Sequence, residues 1–141
     1  MYIAAQMHLT NTEGAMSFSN SFETTVLNWA FTNNAATRPT AWYLALFTSD
    51  PGEASGGTEV SGGGYARQAV SFTVTGDTAT NSAAVEYPEA TASYGTVTHI
   101  AIMDAATGGN QIAYSALSAS KAIDTGDILR VPAGDLDITL N

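Results

Sequence analysis

Residues 65–87 read YARQAVSFTVTGDTATNSAAVEY, and this stretch decides the fold class. From Tyr65 to Thr75 the side chains alternate. Ala66, Gln68, Val70, Phe72 and Val74 fall on one side, and Tyr65, Arg67, Ala69, Ser71 and Thr73 on the other. A period of two belongs to a strand, whose successive side chains point to opposite faces. Gly76-Asp77 is a turn dipeptide, Thr78 to Tyr87 is extended again and Pro88 closes the pair, so the stretch predicts a β-hairpin.

The same punctuation continues downstream. Thr96 to Met103 reads as a strand, with Ile100 and Ile102 opposite His99, Ala101 and Met103. Gly108-Gly109-Asn110 turns into a strand from Gln111 to Leu117, Thr125-Gly126-Asp127 turns into Ile128 to Val131, and Pro132 to Gly134 turns into Asp135 to Leu140. In that last strand Leu136, Ile138 and Leu140 are expected inward, with Asp135, Asp137 and Thr139 outward. Upstream, Ala41 to Phe47 (AWYLALF) is apolar on both faces, as a central strand between covering layers should be. Asp50 to Gly64 holds Pro51 and six glycines and predicts a long mobile connection without regular structure.

One helix is expected, from about Ser21 to Phe31. Asn20 is its predicted cap and Glu23 its capping-box partner, with Phe22, Val26, Trp29 and Ala30 on one face to pack against the sheets. Asn33 and Asn34 follow as stop residues, and Arg38-Pro39 excludes helix beyond. About eight short strands without alternating helices define an all-β fold, an antiparallel β-sandwich or jelly roll with one short N-terminal helix. Residues 16–141 form its single domain. Residues 1–15 carry no strong period and are expected to be an N-terminal arm that makes assembly contacts and lacks order in the free monomer.

Composition narrows the function. The chain of 141 residues has 13 acidic and 4 basic side chains, a net charge of −9 and no cysteine. Binding to a nucleic-acid backbone needs Lys and Arg that are absent, so no nucleic-acid partner is expected. No apolar run approaches the roughly 18 residues of a membrane span, and no membrane partner is expected either. The absence of cysteine excludes disulfides, thiolate zinc sites and a cysteine nucleophile. Charged residues make up 12%, about half the roughly 25% usual in soluble domains. Ala, Gly, Ser and Thr together account for 68 of the 141 residues. A surface of small neutral side chains suits a protein that packs against neighbours in an assembly.

No catalytic, cofactor-binding or metal-binding residue is expected. His99 lies mid-strand without an orienting partner in the sequence, and such a histidine is more often packed than catalytic. No G-x-S-x-G or Ser-x-x-Lys pattern marks a nucleophile. The glycines from Gly56 to Gly64 lack the lysine and the following helix of a phosphate loop. Asp124, Asp127, Asp135 and Asp137 match no calcium loop and read as turn and solvent-facing residues. The aromatic residues could line a carbohydrate platform, but their strand positions make core packing the more economical account. Tyr94, beside Gly95 in a small-residue loop, is a candidate to reach a partner.

Four stretches carry a resemblance: TAWYLALFTSDPGEA (40–54), GTEVSGGGYARQAV (57–70), the segment 81–110 ending YGTVTHIAIMDAATGGN, and GDLDITL (134–140). Over Met16 to Asn141 the chain resembles a family of small virion structural proteins of tailed bacteriophages, variously labelled tail-fibre or capsid cement (decoration) proteins. The resemblance implies a non-enzymatic protein made in the bacterial host cytoplasm and resident in the virion. Its implied partners are other virion proteins, major capsid or tail, and copies of itself. A cement position on the outer shell is the first expectation, and a tail or tail-fibre role in assembly or host attachment is the alternative. Glu53 and Glu59 in the glycine loop are expected to meet a basic partner, with Tyr65, Arg67 and Tyr94 as the other candidate partner-binding residues.

Overall fold

The computed structural model describes residues 1–4 and 17–140. Among them are eleven strands in three sheets and one helix. In chain order these are β1 (Tyr2–Ala4), β2 (Ser17–Phe18), α1 (Asn20–Phe31), β3 (Tyr43–Phe47), β4 (Gln68–Ala69), β5 (Phe72–Thr75), β6 (Thr78–Asn81), β7 (Val85–Glu86), β8 (Gly95–Met103), β9 (Gln111–Ile123), β10 (Ile128–Val131) and β11 (Asp137–Thr139). The protein is therefore mostly β with a short helix, as the alternation predicts. Its strands number eleven rather than about eight because two of the expected long strands change sheets midway and two short strands, β1 and β2, lie upstream of the helix where none is expected.

The largest sheet has the order β2-β9-β8-β3-β4. Its centre is β8, hydrogen-bonded to β9 and β3, so the AWYLALF strand lies beside the centre rather than at it. Both faces of β3 are nonetheless covered. Leu44 and Leu46 enter the main apolar cluster, and Ala45 and Phe47 join Ala101 and Met103 in a smaller one on the opposite face. The Gly76-Asp77 hairpin forms as predicted, pairing β5 with β6 and continuing to β11. The alternating run 65–75 breaks at Val70-Ser71: β4 pairs with β3, and β5 belongs to the hairpin sheet. A sequence period reports which way side chains point, not which sheet receives the backbone.

The third sheet, β1-β10-β7, contains an unexpected pairing. Three residues of the expected arm form β1 and run parallel to β10, Ile3 lying beside Leu129. Parallel pairing is a departure from an all-antiparallel fold. The rest of the arm, residues 5–16, lies outside the described residues. Leu129, Val131, Val85, Tyr87 and Leu136 meet Leu44, Leu46, Ile100 and Ile102 in the main cluster, so the sheets share one core.

Two further expectations are corrected. The cap of α1 is Ser19, not Asn20: its hydroxyl accepts from Phe22 N at 3.3 Å. Ser19 is fully buried, its N–H donates to Ile112 O at 3.0 Å and its hydroxyl also donates to Gln111 O, so the cap ties the helix to β9. The predicted packing face is not buried. Val26, Leu27, Trp29 and Phe31 are exposed, Trp29 at 69%, and only Phe22 packs on the core. Leu140, expected inward, is 57% exposed.

Candidate functional site

β3 needs a neighbour along its outer side, and β4 supplies one only opposite Tyr43 and Leu44. Beyond β4 the orphaned groups are met by side chains and a returning loop. The Tyr65 hydroxyl accepts from Leu46 N at 3.0 Å, and at the end of the β4 pairing the Tyr87 hydroxyl donates to Leu44 O at 2.7 Å. Val60 N donates to Leu46 O and Thr48 N to Thr58 O, both at 2.9 Å. An unpaired edge next to the core would leave buried polar groups or invite pairing with another chain. Two tyrosines and the loop remove that liability.

The loop returns because it is tied at several points. Gly52 N donates to Asp50 Oδ1 at 2.8 Å, Gly56 N to Pro51 O at 2.6 Å, and Thr58 N to Ser49 Oγ at 2.9 Å. Val60 is buried. The expected mobile connection is thus a pinned one. Gly63 explains one glycine of the run: at φ +59° its α-carbon sits where an added Cβ would come within 2.5 Å of Ala92 O, and its carbonyl accepts from Thr91 N at 2.9 Å.

Three of the five candidate partner-binding residues converge here. Arg67 grips Glu59 through both carboxylate oxygens, Nε to Oε1 at 2.8 Å and Nη2 to Oε2 at 2.7 Å. Its Nη1 donates to the carbonyls of Ala105 and Gly108 at 2.9 and 2.7 Å, which fastens the turn after β8. Tyr65 donates to Glu59 Oε1 at 2.8 Å. Burial alone would push the Glu59 carboxyl up, but the hydrogen bonds from Arg67 and Tyr65 and the guanidinium charge outweigh it and hold the group below its ordinary value. Its bonds to Glu59 raise Arg67, against the cost of burial, and burial foremost raises Tyr65. Glu59 already has its basic partner within the chain. Tyr94, expected to reach outward, is buried, stacked edge-on to Tyr65 with ring centroids 5.8 Å apart. Glu53 stands apart and exposed, accepting from Ser17 Oγ at 3.1 Å, while its carbonyl accepts from Asn20 N.

The remaining chemical candidates resolve into structure. His99 lies 3.8 Å from Asp50 and shares a 2.9 Å hydrogen bond with Thr98. Asp127 accepts from Asp124 N at 2.9 Å across their turn, and Asp137 accepts from Thr80. No group of three or more metal-ligating side chains occurs among the described residues.

What the sequence reading missed is an apolar surface. In the hairpin sheet Val74, Ala79 and Ile138 lie side by side in register. With Phe72 and Leu140 they form one wall of a groove, and Phe18, Phe22, Trp42, Ile102 and Ile112 form the other. Phe22 continues into a notch between α1 and residues 36–39, lined by Val26, Trp29 and Pro39 with Arg38 at its edge. The signal was present in the shared side of Phe72 and Val74 and of Ile138 and Leu140. Periodicity assigned Ile138 and Leu140 to the interior and placed Phe72 and Val74 on one side of their strand.

A mostly β body with its buried polar side chains hydrogen-bonded and an apolar strip left at its surface has the make-up of an assembly protein. Residues 17–139 match the family described as podophage GP4 fiber I protein gp80, and the chain belongs to that family. It is a structural protein of the phage virion. A search of curated proteins gave no match.

Proposed function

We propose that the chain is a component of a phage fiber or of the tail apparatus that carries it, working by contact with other virion proteins and with further copies of itself. The observation that supports this reading is the fiber-family match, which runs from β2 through β11 and so takes in the core, the pinned loop and the apolar surface. It favours the fiber alternative over the capsid-cement position. In this reading the three sheets act as one sandwich-like body. The Glu59–Tyr65–Arg67 cluster serves attachment indirectly, by fixing the loop that presents exposed Glu53 to a basic neighbour. Particles assembled without the protein test the location. Under the fiber reading they keep wild-type resistance to heat and lose adsorption or tail completion. Shells that rupture at lower temperature while adsorption stays normal would overturn it and restore the cement position.

A further inference from the structure

Helix α1 is apolar around much of its circumference, yet Val26, Leu27, Trp29 and Phe31 all face solvent. A helix with apolar residues on several sides is ordinarily enclosed. Val74 and Leu140, 69% and 57% exposed, extend the same apolar surface past Phe22 to the tip of the β5–β6 hairpin. The groove is open to solvent and has a volume of about 310 Å³. Release of the water lying against its apolar walls favours covering the face.

Charge identifies the cover. Arg67 and Arg130 are engaged with Glu59 and Glu86 inside the chain. Arg38 is exposed, has no ion pair among the described residues and stands at the notch end of the face. Asp77 is exposed at the hairpin end, its side chain meeting only the Thr78 hydroxyl among the bonds described, at 3.2 Å. Among the described residues, the linings of the groove and the notch carry no other charged side chain, and Asp104 borders them in the cleft that shares Phe22, Pro39 and Ile112. Two chains of net charge −9 approach with least repulsion across such a face. A positive end and a negative end make it self-complementary under a two-fold axis, where every contact between two positions occurs twice.

We propose that this face, from Val26, Trp29 and Arg38 to Val74, Leu140 and Asp77, pairs antiparallel with the same face of a second copy about a two-fold axis, Arg38 of each chain meeting Asp77 of the other. The inference rests on the self-association included in the fiber reading and gives it a surface.

Sedimentation of the full chain over a concentration series tests it. The wild type should self-associate, and Arg38→Asp or Asp77→Arg alone should weaken association about tenfold or more. Mixing the two variants should restore it, since every facing pair is again of opposite sign. Both positions are exposed, so unchanged urea midpoints separate loss of contact from loss of fold. A wild type that stays monomeric throughout overturns the inference and the self-association beneath it, while fiber location is still read from the deletion particles. Self-association untouched by either variant, or unrestored on mixing, overturns this face and leaves self-association standing.

Discussion

At the scale of single residues, the tyrosine hydroxyls substitute for a strand. Tyr87 is buried and its hydroxyl donates to Leu44 O, so Tyr87→Phe removes a buried hydrogen bond. A loss of about 0.5–1.5 kcal/mol is expected from urea denaturation, with the ring contacts intact. Glu59 gives a pH dependence of definite sign. Its folded value is lowered from 4.5, so in acid the unfolded chain binds the proton first. Its contribution is therefore complete above about 4.5 and lost as pH falls through the lower folded value. Comparing denaturation midpoints of wild type and Glu59→Gln should show the two converging as pH drops below that window. Trp29 teaches the opposite lesson: burial against the sheets would make Trp29→Ala cost about 3–5 kcal/mol, but at its observed exposure the free chain should change by no more than about 0.5 kcal/mol.

At the scale of elements, Ser19 decides how α1 is held. An ordinary cap is worth about 0.5–2 kcal/mol, and the Ser19 hydroxyl adds one buried hydrogen bond to β9, so Ser19→Ala should reach the upper end of that range or exceed it. Thermal denaturation of this variant is the check. Elements whose signal is local were legible in the sequence: the β5–β6 hairpin, β8, β10 and the span of α1 each follow from a period bounded by turn residues. Pairings between distant segments were not. Nothing local in Tyr2–Ala4 announces a parallel partner more than a hundred residues away. The glycine loop misled for a related reason, because glycine content reports conformational freedom, and the bonds from Thr48, Thr58 and Val60 that remove it come from tertiary placement. The candidate site was half legible. Glu59, Tyr65 and Arg67 converge, but a charged residue in a sequence does not disclose whether its partner is in the same chain.

At the scale of the whole molecule, net charge and apolar face pull against each other, and their balance sets the sign of the salt dependence. A chain of 141 residues has a radius of gyration of about 14 Å, so two in contact lie roughly 35 Å centre to centre. Treated as point charges in water, two copies at −9 repel by about 10 kcal/mol unscreened. A Debye length of about 30 Å at 0.01 M salt leaves roughly 3 kcal/mol, and one of about 8 Å at 0.15 M leaves only about 0.1 kcal/mol. Exposed ion pairs such as Arg38 with Asp77 weaken over the same range, but each is worth little beside the summed repulsion. Self-association should therefore tighten as salt rises from 0.01 to 0.15 M. Docking of the acidic chain on a basic virion neighbour should weaken over that interval, because there the long-range term is attractive. Sedimentation at the two salt concentrations, with and without the neighbour, separates the contacts by sign. Self-association that loosened with salt would mean that ion pairs, rather than the apolar face, hold the copies together.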